Sequence, residues 1–104
     1  MMRNAFTMKL KPGTAEEYKL RHDAIWPELA EALRNAGISD YAIFLEEASG
    51  ILFAVQKLDE NHTTGDLPQQ DIMKKWWAYM ADLMETNSDN SPVSTPLKEV
   101  FYLE

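Results

Sequence analysis

Four stretches of the chain have the pattern of a strand, at residues 3–11, 41–46, 51–58 and 97–103: the first and the last alternate apolar with polar residues, and the middle two are mostly apolar. A period of two residues is typical of a β-strand that buries one face. In the first stretch Phe6, Met8 and Leu10 share a side, and the Pro12-Gly13 pair that follows ends the strand. Only residues 47–50 separate the second stretch from the third, which predicts a short hairpin. The pattern therefore predicts four strands.

Apolar and aromatic residues recur at steps of three and four after the first strand, which predicts a helix. Thr14 and Glu17 have the spacing of a capping box at its start. Because Pro27 cannot continue a helix but can begin one, we predict two pieces, residues 14–23 and 27–36, with Gly37 as the C-terminal cap. The shared face of the two pieces carries Tyr18, His22, Ile25, Trp26, Leu29 and Leu33.

A second helical region is predicted from residue 71, where Asp71 can act as the N-terminal cap. Its apolar stripe consists of Ile72, Trp76, Met80 and Leu83. Residues 59–70 and 87–96 are polar or contain proline, asparagine and serine, so we predict loops there.

The predicted order of elements is β-α-β-β-α-β, an α+β, ferredoxin-like split βαβ arrangement in one domain over residues 1–104. Helices cover one face of such a sheet, yet the strands at 41–46 and 51–58 are apolar on both faces. Large exposed apolar patches usually mark interfaces, so we predict a homodimer in which the two sheets pack together. The alternative is a second face that is simply half-exposed, as much of any protein surface is apolar.

Composition excludes several classes of function. The 104 residues carry 10 Lys and Arg against 17 Asp and Glu, a net charge of −7, which disfavours nucleic acids and anionic membranes as partners. No apolar run approaches the roughly 20 residues of a membrane helix, and the first residues do not have the pattern of a signal peptide. The chain has no cysteine, which excludes disulfides and thiol catalysis and leaves the cytoplasm as the expected compartment.

His22 is the best candidate for proton transfer because an unperturbed histidine titrates near ~6.5. Tyr18 lies four residues before it, so the phenol and the imidazole are expected to meet on one helix face. The alternative is a histidine with a purely structural role. His62 lies in the polar segment 59–70, and we expect it to be exposed to solvent.

The adjacent pair Trp76 and Trp77 indicates an aromatic surface. Neighbouring helix residues point about 100° apart, so one ring can enter the core while the other meets a rim. Trp26 and Tyr41 could extend this surface, and aromatic rings of this kind pack well on the C–H faces of sugars. The alternative is that the rings only fill the core.

The sequence contains no metal-binding or cofactor-binding motif. The two histidines are far apart, and the four glycines are isolated rather than grouped in a phosphate-binding loop. We therefore expect neither a metal ion nor an organic cofactor.

Three segments of the chain resemble the L-rhamnose mutarotase family, and the resemblance runs essentially from end to end. They are Tyr18-x-x-x-His22-Asp23-x-Ile25-Trp26-Pro27-Glu28-Leu29; Lys75-Trp76-Trp77-x-Tyr79-Met80, which continues to Asn87-x-Asp89-Asn90-Ser91-Pro92-Val93; and Val100-Phe101-Tyr102-Leu103. The resemblance implies a dimeric α/β-barrel of ferredoxin-like subunits that interconverts the α and β anomers of L-rhamnose. It also implies that His22 is the proton donor and that Tyr18, Tyr41, Trp76 and Trp77 contact the sugar.

Two other functions stay open at this point. An aromatic pocket with a histidine could also serve a cofactor-free oxygenase or a haem-degrading enzyme on the same barrel. A sugar-binding or regulatory module without catalytic activity would need Trp76 and Tyr41 but not His22.

Overall fold

The computed structural model describes residues 2–104, and its strands are β1 (Met2–Lys9), β2 (Ile38–Glu46), β3 (Ile51–Leu58) and β4 (Thr95–Leu97). They form a single antiparallel sheet in the order β2-β3-β1-β4. The predicted third strand is confirmed at both ends, whereas β2 begins at Ile38 and so three residues earlier than predicted. The fold is of the α+β class, with the predicted order of strands and helical regions.

The prediction of a closing strand over residues 97–103 is wrong. β4 is paired with β1 only over Thr95–Leu97, and residues 98–104 have no regular secondary structure. The alternation in this segment indicated a strand with one buried face, but the rest of the chain leaves its apolar side chains largely uncovered. The four apolar residues of the segment are all more than half exposed: Val100, Phe101, Tyr102 and Leu103.

The helices lie where the sequence predicts them, but two predicted caps are wrong. Pro27 is the first residue of its helix, as predicted. The Thr14 hydroxyl does not accept a hydrogen bond from an amide at the start of the first helix. It instead faces two carbonyl oxygens, that of Lys11 at 2.8 Å and that of Leu83 at 2.9 Å, and donates its hydrogen there. Asp71 is the first residue of its helix and not the N-terminal cap. Gln70 is at the cap position, and its side chain makes no capping hydrogen bond. The helices are α1 (Ala15–Asp23), α2 (Pro27–Asn35) and α3 (Asp71–Met80), with 3₁₀ turns at Thr64–Gln69 and Ala81–Leu83.

The core lies between one face of the sheet and this helical layer. Leu29 of α2 and Leu52 of β3 are almost fully buried there, and Trp76 of α3 packs in the same cluster. The opposite face of the sheet has no helix on it and exposes Phe44, Phe53, Val55 and Leu97. None of the helices between residues 2 and 104 is long and apolar enough to cross a membrane.

The junction between α2 and β2 is tightly packed. Gly37 has a φ of +95°, in the left-handed region, as its predicted role at the end of α2 requires. A Cβ atom at this glycine would lie 2.9 Å from the His62 Cβ. The prediction that His62 is exposed is wrong, because the Thr63 amide donates to the Ala36 carbonyl at 2.8 Å and draws this segment onto the end of α2.

Candidate active site

His22 lies in the last turn of α1, where its ring stacks on that of Tyr18. The two ring centres are 4.3 Å apart with an angle of 28° between the planes, so the predicted contact is confirmed. The Trp76 ring system meets the imidazole from α3 in a T-shaped arrangement, with ring centres 5.4 Å apart. His22 Nδ1 lies 3.1 Å from the Tyr18 carbonyl oxygen. A carbonyl oxygen can only accept, so Nδ1 carries a hydrogen and Nε2 is the ring atom left for exchange.

Burial shifts the two titratable groups in opposite directions. Desolvation lowers the pKa of His22, although its bond with the Tyr18 backbone and the nearby Asp23 carboxylate act the other way. At neutral pH the imidazole is therefore uncharged, with a free lone pair on Nε2. Burial also raises the pKa of Tyr18 far above its usual range. The Tyr18 phenol consequently keeps its hydrogen and is a poor base.

The two adjacent tryptophans divide as the helix geometry predicts. Trp76 is only 6% exposed and belongs to the core, whereas Trp77 is half-buried at its edge. Trp26 packs behind Trp76, with ring centres 5.0 Å apart in a T-shaped arrangement. Trp26 therefore packs against the aromatic surface but does not line the cavity described below.

Tyr41 reaches the same region from the sheet because of an irregularity in β2. The register between β2 and β3 shifts between Ser39 and Ala42, and Asp40 takes a left-handed backbone with a φ of +46°. Such a bulge re-aims the side chain that follows it. Desolvation raises the pKa of Tyr41, and the nearby Gln56 side chain partly offsets the rise.

A cavity of about 70 Å³ brings together all five predicted site residues. They are Tyr18, His22, Tyr41, Trp76 and Trp77. The same five residues line a wider, open cleft of about 1680 Å³, so the cavity is continuous with the surface. His62 lines neither space. Over residues 2–104 no group of three or more histidine, aspartate or glutamate side chains is placed to hold a metal ion.

Three further residues at this site had no predicted role. Asn90 and Pro92 line the cavity from the loop that follows α3, and Asn90 has a φ of +71°. Gln56 lies on the sheet next to Tyr41 and is buried. The sequence signal for Gln56 was available: a polar residue stands at an inward position of β3, between Ala54 and Leu58.

Comparison with known proteins gives a consistent result over the whole chain. The family model described as L-rhamnose mutarotase matches residues 3–103. The chain is 61% identical over 103 residues to the L-rhamnose mutarotase of Sinorhizobium fredii, covering 99% of both chains. It is 55% identical over 104 residues to that of Rhizobium meliloti, with full coverage of both. The crystal structure of L-rhamnose mutarotase from Formosa agariphila, 52% identical, superimposes with a TM-score of 0.93 and full coverage of both chains. The chain therefore belongs to the L-rhamnose mutarotase family.

Proposed function

We propose that this protein is an L-rhamnose mutarotase that interconverts the α and β anomers of the sugar by acid–base catalysis through the open-chain form. The observation that carries the proposal is the position of His22 at a cavity walled by aromatic side chains. Membership in a family of enzymes favours this reaction over a haem-degrading enzyme or a binding module without activity.

The reaction requires one proton to leave the anomeric hydroxyl and one to reach the ring oxygen. These transfers break the bond between the ring oxygen and the anomeric carbon, and the resulting aldehyde closes again on its other face. A positioned acid or base contributes ~10²–10⁴ to such a rate. His22 Nε2 is suited to both transfers, since the neutral imidazole accepts a proton there and the imidazolium donates it, in agreement with the expected role as proton donor. The raised pKa of Tyr18 makes this phenol unsuited to removing the anomeric proton.

The other four residues are proposed to bind the sugar. Trp76 and Trp77 present ring surface, which packs against C–H groups and the methyl group of a deoxysugar. Tyr18 and Tyr41 present hydroxyl groups that can bond to those of the sugar. None of these contacts involves a metal ion or an organic cofactor, and the proposed mechanism requires neither.

Replacing His22 tests the proposed mechanism. His22→Ala should lower the rate of anomer exchange by ~10²–10⁴, because it removes the group that stabilises the transition state by proton transfer. L-Rhamnose binding should stay within a few-fold. Saturation-transfer NMR on the anomeric protons measures both. The matched control His62→Ala, which changes a histidine away from the cavity, should exchange anomers at nearly the wild-type rate.

A normal exchange rate in a folded His22→Ala protein would contradict the assigned role. If wild-type protein leaves the exchange of L-rhamnose anomers at its spontaneous rate, the proposed function itself is wrong.

We also propose that two copies of the chain pack through their open sheet faces to form a dimeric α/β-barrel. Phe44 is 64% exposed on this face, and Phe101 in the C-terminal segment is 77% exposed. A dimer of standard size buries roughly 1,200–2,000 Å², enough to cover such a face. Light scattering at micromolar concentration should give twice the mass of the chain, and Phe44→Lys should shift it toward the monomer. A monomeric wild-type protein would refute this assembly.

A cytoplasmic location stays a prediction, which cell fractionation tests.

A further inference from the structure

Arg21 joins the last turn of α1 to the end of α3. Its Nη1 donates to the Tyr79 carbonyl oxygen at 2.7 Å and to Asp82 Oδ1 at 2.8 Å, and its Nη2 donates to Asp82 Oδ2 at 3.3 Å. Its Nε donates to Glu17, on α1 itself, at 2.7 Å. The planar guanidinium therefore bonds to both helical regions at once, in a geometry that a lysine ammonium does not offer.

The environment of the guanidinium favours these bonds. The Arg21 side chain is only 14% exposed, although its partner Asp82 is 65% exposed. The last carbonyl groups of a helix carry a partial negative charge, so a cation is favoured at this end of α3. The guanidinium also lies 4.6 Å from the centre of the Tyr79 ring, a distance at which a cation and an aromatic face attract each other.

Few other contacts fix the last turn of α1. Of the nine residues of this helix only Tyr18 is buried, and Leu20 is 58% exposed. The start of the helix is held by Thr14, whose hydroxyl oxygen lies 2.9 Å from the carbonyl oxygen of Leu83, in the 3₁₀ turn after α3. Arg21 makes the corresponding connection to the same turn at the other end of the helix.

We propose that Arg21 is a positioning residue, whose bonds to the end of α3 hold the neighbouring His22 against Trp76 at the cavity. The His22 and Trp76 rings meet with centres 5.4 Å apart, and Trp76 lies about one helical turn before Tyr79. The bonds of Arg21 and the ring contact of His22 thus join the same parts of the two helices. Displacing a reacting group by about 1 Å can cost ~10²-fold in rate. The reaction of His22 rests on the proposed function, whereas the held position of its ring does not.

Two substitutions remove this connection from opposite sides. Arg21→Ala removes all of its bonds, and Asp82→Ala removes the carboxylate while leaving the sequence of α1 unchanged. Lys19→Ala is the matched control, because Lys19 forms an ion pair of 3.1 Å with Asp23 that lies wholly within α1. It takes a cation and an ion pair from the same helix without changing the connection to α3.

The first measurement needs no ligand. The nuclear Overhauser effect between the His22 and Trp76 ring hydrogens reports the contact between the helices, and that between the His22 and Tyr18 rings reports a contact within α1. Wild type and the control should show both signals in the same ratio. Both test variants should keep the signal within α1 and lose intensity in the signal to Trp76.

An unchanged ratio in a folded test variant overturns the inference, even where urea unfolding shows a lower stability. Arg21 would then stabilise the fold without placing the ring. Because Asp82 is mostly exposed, Asp82→Ala provides this test if Arg21→Ala fails to fold.

The second measurement separates catalysis from binding. Arg21→Ala should lower the rate of anomer exchange at saturating L-rhamnose about tenfold, with binding within a few-fold, because the displaced imidazole serves the transition state and not the bound sugar. The double variant with Asp82→Ala should be no slower, since both changes remove the same connection. Lys19→Ala should exchange anomers at nearly the wild-type rate.

The outcomes distinguish a failure of this inference from a failure of the proposed function. A folded Arg21→Ala protein with a wild-type exchange rate, or with weaker binding as its only defect, refutes the role of Arg21 in catalysis. If wild-type protein does not accelerate the exchange of L-rhamnose anomers, the proposed function is wrong, and the ratio of the two ring signals still decides whether Arg21 positions His22.

Discussion

Replacing Gly37 by alanine should destabilise the protein through two separate effects. The φ of +95° lies in a region that L-residues with a Cβ atom rarely adopt, at a cost of about 1–2 kcal/mol. The added Cβ would also lie 2.9 Å from the His62 Cβ and 3.0 Å from its Cα, the second of which is backbone and cannot turn aside. Overpacking of this kind costs about 1–3 kcal/mol. The total loss in the free energy of unfolding is therefore about 2–5 kcal/mol.

Gly13→Ala is the matched control for this prediction. Gly13 also has a left-handed backbone, with a φ of +78°, but a Cβ there would have nothing within 4 Å. Gly13→Ala should therefore lower the free energy of unfolding only by the cost of the left-handed backbone, about 1–2 kcal/mol. The smaller entropy of the unfolded chain favours alanine equally at both positions and cancels in the comparison.

Urea unfolding of the two variants at one protein concentration measures the difference. With a slope of about 2 kcal/mol/M, an additional loss of about 2 kcal/mol moves the midpoint by about 1 M further in Gly37→Ala. Equal midpoints would refute the close contact with His62, and with it the tight packing of this junction.

Three further predictions concern the site. Trp77→Ala should weaken L-rhamnose binding about tenfold in an NMR titration, whereas Trp76→Ala should lower the free energy of unfolding by ~3–5 kcal/mol in urea; normal binding by both folded variants would refute the aromatic surface. Burial lowers the pKa of His22 in the folded protein, so the unfolded state binds a proton more readily than the folded state does. The free energy of unfolding should therefore fall as the pH drops below ~6.5, the pKa of this histidine in the unfolded chain. His22→Gln should flatten this fall in urea titrations at successive pH values, and an unchanged slope would contradict it. Anomer exchange should survive dialysis against EDTA, and a loss that a divalent ion restores would refute the cofactor-free mechanism.

Local patterns in the sequence predicted those parts of the fold that depend on neighbouring residues. The spacing of Tyr18 and His22 sufficed to predict their stacked rings, because four residues is about one helical turn. Pro27 marked the start of α2 for a similar local reason. Four of the five predicted site residues lie on predicted helices, and the fifth, Tyr41, lies on a predicted strand and was expected to extend their aromatic surface.

Features that depend on a distant partner could not be predicted in this way. The Thr14 hydroxyl fits a capping box by spacing, but it bonds to the carbonyl of Leu83, which only the folded chain brings near. The left-handed Asp40 arises from the pairing of β2 with β3 and has no local signature in the sequence. The residues after Leu97 alternate like a strand, yet Val100, Phe101 and Leu103 are left largely exposed by the rest of the chain.

The bond from His22 Nδ1 to the Tyr18 carbonyl links the orientation of the imidazole to a local unfolding equilibrium. In an α-helix this carbonyl also accepts the amide hydrogen of the residue four positions later, which is His22 itself. The ring is therefore held by the final turn of a helix of nine residues, and a helix this short is not stable alone. Fraying of that turn would release the backbone bond and the ring together. The fraction of molecules able to react is then the fraction in which the end of α1 is closed, and hydrogen exchange at its last amides measures that fraction.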